Sequence, residues 1–115
     1  MIKIGFGIID IIDYSKDYSA YGPEKYGFVY IDDDIYINDW WKRLTTMKTY
    51  FHCMDRPAVA LARFGVTLIP PESLPTFQDI VITDKRIYTD NNLVALATKI
   101  KEAIEANKFM IHYGI

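Results

Sequence analysis

Ile2, Ile4, Phe6 and Ile8 alternate with Lys3, Gly5 and Gly7, and this period of two predicts a strand with one buried face. Glycines inside a strand mark a bulge or a close backbone contact. Residues 14–26 are small, polar and tyrosine-rich around Gly22-Pro23, so they form the longest predicted loop. Phe28–Ile31 and Ile35–Ile37 flank Asp32-Asp33-Asp34, and two β-rich runs around three turn-tolerant residues predict a hairpin. Asn38 or Asp39 is then placed to cap a helix that turns Trp40, Leu44, Met47 and Phe51 inward.

Asp55, an early Pro57 and a closing Gly65 punctuate a predicted two-turn helix. Val66–Ile69 reads as a short buried strand. Pro70-Pro71-Glu72 opens a helix with Leu74, Phe77, Ile80 and Val81 inward, and Pro75 sits in its first turn, where a missing N–H costs little. Asp84-Lys85-Arg86 is a turn. Thr89 or Asp90 caps the clearest helix, with Leu93, Leu96, Ala97, Ile100 and Ile104 on one stripe and Asn107 as a left-handed end. Phe109–Tyr113 is a last strand. Strands at both ends and helices between them predict an α+β fold over 1–115 as a single globular domain: a small, largely antiparallel sheet with three to four helices packed on one face.

Composition narrows the class. Half of the 115 residues are hydrophobic and 24% are charged, which is globular rather than disordered. Cys53 stands alone, so no internal disulfide forms, and no apolar run approaches the length of a membrane span. Lys3 and Asp10 interrupt the apolar start, which does not read as a secretory leader. A cytoplasmic protein without a membrane partner is the expectation. The net charge of −2 conceals an asymmetry: residues 1–39 hold three lysines against eight acids, and residues 40–115 hold ten basic residues against seven acids. Six of the nine tyrosines fall in that acidic first third.

The chemistry-bearing residues are few. Asp32-Asp33-Asp34 lacks the spacing, glycine and distal glutamate of a calcium loop, so no metal is expected there. Gly5-Phe6-Gly7 lacks the rest of a phosphate-binding turn, and no catalytic or cofactor motif occurs elsewhere. The basic residues are scattered and the pI is near 5.6, so nucleic-acid binding is not expected. One cysteine cannot supply paired zinc ligands.

What remains is an acidic, aromatic composition suited to protein recognition. The leading expectation is a non-enzymatic protein-binding module, concretely an immunity- or antitoxin-type inhibitor. It would present Asp32, Asp33, Asp34, Asp39, Trp41, Tyr14, Tyr18 and Tyr21 to a basic partner protein. The alternative is a small enzyme or small-ligand-binding protein with a pocket around His52, Cys53, Asp55 and His112. On the leading reading, reversing the charge of Asp32, Asp33 and Asp34 to lysine leaves the fold intact and abolishes partner capture.

Overall fold

The computed structural model describes residues 3–18 and 27–114; Tyr21 and the side chain of Asp34 lie outside the described residues. Strand β1 (Lys3–Ile9) leads to β2 (Val29–Asp32), helix α1 (Asp33–Leu44), β3 (Lys48–Phe51), β4 (Pro57–Val59) and β5 (Val66–Ile69). Helix α2 (Leu74–Ile82), helix α3 (Asn91–Ala106) and β6 (Phe109–Tyr113) complete the order. The six strands form one sheet in the order β2-β1-β6-β5-β3-β4, with every neighbouring pair antiparallel. With three α-helices on the sheet, the fold is α+β. Among the described residues no helix is long and apolar enough to cross a membrane.

Strand alternation divides the core into two layers. Ile4, Phe6, Ile31, Ile69 and Met110 point toward the helices. There they meet Ile37, Trp40 and Leu44 of α1, Leu74, Phe77 and Ile80 of α2, and Leu93, Leu96 and Ile100 of α3. Val66, Leu68, Phe109, Ile111 and Tyr113 face the other way, covered by Tyr18, Ile12, Phe28, Tyr50 and Met54. Gly5 faces this second layer for a steric reason: a Cβ there would stand 2.3 Å from Phe28 Cδ2, so the Phe28 ring rests on the bare backbone.

Several expectations hold. Helix α2 begins behind Pro70-Pro71 and buries Leu74, Phe77, Ile80 and Val81. Asp90 caps α3 by accepting from the Asn92 N–H at 2.9 Å, and Asn107 ends it at φ 55° and ψ 48°. Phe109–Tyr113 is indeed a strand, buried along its whole length.

Two predicted elements are replaced. Asp32-Asp33-Asp34 is not a hairpin tip, because β2 ends at Asp32 and α1 starts at Asp33. Asn38 and Asp39 therefore lie within the helix and do not cap it. Acids in a first helical turn are favoured by the free N–H groups there. Tyr36, Ile37, Trp40 and Leu44 then recur at helical spacing and are all buried, so packing overrides the β-propensity of Ile35-Tyr36-Ile37. The helix stops before Phe51, which belongs to β3; the Thr45 and Thr46 hydroxyls donate back to the Lys42 and Arg43 carbonyls.

The predicted helix from Asp55 to Gly65 is also absent. Its first half is β4, paired to β3 as Lys48↔Val59, Thr49↔Ala58 and Tyr50↔Pro57. Proline is tolerated there because β4 is a sheet edge. Its second half is a loop whose Ala60 and Leu61 enter the core.

Asp33 is only 2% exposed, and its Oδ2 lies 3.0 Å from Arg63 Nη2. Charge reversal in this run therefore challenges the fold and does not isolate a surface. Replacing Asp33 by Ala is expected to cost about 1–2 kcal/mol by removing its charged hydrogen bond with Arg63, which keeps Asn38 as a partner. Urea unfolding of the single and double variants with Arg63→Ala checks this, and additive losses would refute the coupling.

Candidate functional site

Adjacent helical residues point about 100° apart, so when Trp40 turns into the core, Trp41 is left on the outer side of α1. Trp41 is 38% exposed. The Arg63 guanidinium lies 6.0 Å from the ring centroid, donates from Nη1 to Asn38 Oδ1 at 2.9 Å and from Nη2 to Asp33 at 3.0 Å. Three contacts to one helix fix this arginine over the indole. Phe64, its chain neighbour, is 75% exposed. The 60–65 loop that carries both is itself tied down. Ala60 N–H donates to the Met47 carbonyl at 3.2 Å, Ala62 N–H to Thr67 Oγ1 at 2.7 Å, and Gly114 N–H to the Gly65 carbonyl at 2.7 Å.

A second arginine braces the rest of α1. Arg86 donates from Nε to Asp84 Oδ1 at 2.9 Å and from Nη2 to Asp84 Oδ2 at 2.6 Å. Its Nη1 lies 3.0 Å from Asp39 Oδ2, and its guanidinium stands 4.6 Å from the Tyr36 ring centroid. Trp40 Nε1 donates to Asp84 Oδ2 at 2.8 Å, and the Tyr36 hydroxyl donates to Asp90. The hydrogen bonds from Arg86, aided by Trp40, outweigh partial burial and hold the Asp84 carboxyl down at about 2. Burial first, and then the bond to Asp90, raise the Tyr36 hydroxyl far above its ordinary value. The cluster locks α1 to the turn at Asp84–Tyr88 and to the start of α3.

The residues expected to form one partner surface are divided between two places. Asp33, Asp39 and Trp41 belong to α1. Tyr18 is buried on the opposite side of the sheet, where its hydroxyl accepts the Asp13 N–H at 2.8 Å. Tyr14 is exposed on that same side and meets Phe109 edge-on at 6.4 Å. Nor are Asp32, Asp33 and Asp39 free to form a negative face. Asp32 stands 3.1 Å from Lys3, and Asp10, Asp33 and Asp39 reach Lys108, Arg63 and Arg86 from the later part of the chain.

His52, Cys53, Asp55 and His112 do not converge on one pocket. The His112 ring lies in the helix-side core, 5.0 Å from the Phe6 ring, with Nδ1 3.3 Å from Thr67 Oγ1. His52 sits in the β3–β4 turn at φ 47°, and its Nδ1 lies 3.2 Å from Asp17, on the segment that covers the other face. Among the described residues no group of three or more His, Cys, Asp or Glu side chains is placed to hold a metal ion.

The sequence reading missed a cleft on that other face, of about 700 Å³. Tyr14, Tyr50, Met54, Pro70, Pro71 and Phe109 line it, with Asp10, Glu72 and Lys108 as charged members. Tyr50, Pro71 and Phe109 lie far apart in the chain, so no local pattern announces it.

Burial pushes the His112 pKa down to about 3, so the folded protein keeps this ring neutral while the unfolded chain protonates it near its ordinary value. Stability is then unaffected above that value and falls as pH drops from about 6.5 toward 3, at up to about 1.4 kcal/mol per unit. His112→Phe, seated beside Phe6, is expected to remove this dependence, about 2 kcal/mol between pH 7 and 5. Urea unfolding at both pH values checks it; an unchanged slope in the variant assigns the dependence elsewhere.

No family model, curated protein or solved structure matches this chain.

Proposed function

We propose that this chain is a non-enzymatic protein-binding module of the immunity- or antitoxin-inhibitor type, gripping its partner through the outer side of α1 and the adjoining 60–65 loop. The observation that carries the reading is Trp41, open to solvent and overlaid by an Arg63 side chain that the fold already holds in place. Tryptophan and arginine are the residues most enriched at the energetic centres of interfaces. An anchor already fixed in the free protein also loses less conformational freedom on binding. Phe64, the chain neighbour of Arg63, is a second exposed ring on the adjoining loop, and the exposed Lys42 follows Trp41 on α1. The acids contribute less than their number suggests, because Asp33 and Asp39 are already engaged by arginines. The partner is accordingly matched by an apolar recess for the two rings as much as by positive charge.

Trp41→Ala and Phe64→Ser should each keep the unfolding midpoint close to wild type and reduce retention of the protein's main cellular partner by about tenfold or more. Tyr14→Ala, on the opposite side of the sheet, should leave retention unchanged. Quantitative affinity capture with the three variants decides. Equal retention by Trp41→Ala and wild type removes this surface from consideration, and the absence of any specifically retained protein removes the reading.

A further inference from the structure

We propose that the cleft on the face opposite the helices is a second binding site, and that its ligand is an extended, proline-containing peptide segment bearing a basic residue. The inference is independent of the α1 surface, from which the sheet separates it.

Tyr14, Tyr50 and Phe109, with Met54 and Pro70-Pro71, form the apolar part of the cleft's wall, and Asp10, Glu72, Asn107 and Lys108 form its polar part. Its strand residues are Ile9 of β1, Tyr50 of β3 and Phe109 of β6, which meet the cleft from the face of the sheet opposite the helices. The cleft therefore lies over a sheet face, where an incoming peptide meets side chains and not a row of strand N–H and C=O groups. Recognition must come from side chains. Proline-rich segments suit such a groove because they are preordered in an extended helix, use few backbone hydrogen bonds and lay their rings against aromatic walls.

Charge supplies the second element. Lys108 Nζ is held 2.8 Å from Asp10 Oδ1, so these two charges answer each other. Glu72, the remaining charged residue of the lining, is exposed and has no basic partner among the described residues. The cleft thus carries one uncompensated carboxylate beside an aromatic wall, which is complementary to an arginine or lysine flanking the prolines.

A synthetic peptide of Ala-Pro-Pro repeats closed by arginine is the probe, titrated into the full chain and followed by amide chemical-shift changes. The expected result is saturable change centred on Tyr14, Tyr50 and Phe109. Tyr14→Ala and Glu72→Lys, both at exposed positions, should each weaken binding by at least about fivefold. Trp41→Ala should leave it unchanged. Two control peptides complete the experiment, one with every proline replaced by alanine and one with arginine replaced by glutamate; both should bind more weakly. No saturable change, or change centred away from the cleft, overturns the site. Equal binding of either control overturns the ligand class.

Discussion

The fold depends on the insertion of β6 between β1 and β5. Phe6 pairs with His112 on one side, and Leu68 pairs with Ile111 on the other, so the last strand joins what would otherwise be a two-stranded and a three-stranded fragment. Neither fragment would be stable alone, because each would expose an apolar face and an open edge. β6 is suited to the middle by composition: all five of its residues are buried, with Met110 and His112 toward the helices and the other three toward the opposite layer. The local device that delivers it is the end of α3. Asn107 takes a left-handed conformation, Lys108 N–H donates back to the Ala103 carbonyl at 2.9 Å, and the chain reverses into the sheet.

That reversal has an electrostatic counterpart. The acid-rich first third and the base-rich remainder do not form opposite poles, because folding lays one against the other. Asp10 meets Lys108, Asp33 meets Arg63 and Asp39 meets Arg86. Charges that look like a recognition signal along the chain become struts between elements. The two arginines brace different flanks of α1, and the strut from Asp33 and Asn38 holds Arg63 over Trp41 in the arrangement that makes them a candidate anchor. Stability and the candidate surface thus draw on the same side chains, and the surface is rigid where it is aromatic.

The two sides of the sheet differ in kind. On one side, three helices cover an apolar core in which even His112 stays neutral. On the other, the described cover consists of Ile12, Tyr18, Phe28, Tyr50 and Met54, and a cleft opens between the 9–14 segment and the Pro70-Pro71-Glu72 stretch before α2. A helix side that presents an anchor and a loop side that presents a groove give the chain two chemically distinct faces.

Wherever the deciding forces are local, the amino-acid sequence determined the outcome. The 3.6-residue stripe of α3 with Asp90 and Asn107 at its ends, the proline-opened α2, the strand at β1 and the apolar run of β6 all follow from neighbours within a few residues, although β1 is buried on both faces and not on the one its alternation predicted. So does the α+β class. Trp41 was recognisable as an outward ring because Trp40 beside it completes the inner stripe. Tertiary structure alone decided three things. Asp33 became a helix start because Arg63, thirty residues away, neutralises it. Residues 57–59 became a strand because β3 offered backbone partners that outweighed the local helix punctuation. Tyr14 and Tyr50 came to share a cleft, while Tyr18 went into the core, because residues 9–18 pack over a sheet face whose existence depends on β6. Each outcome turns on contacts between distant residues, whose energy exceeds the small local propensities that a sequence pattern records.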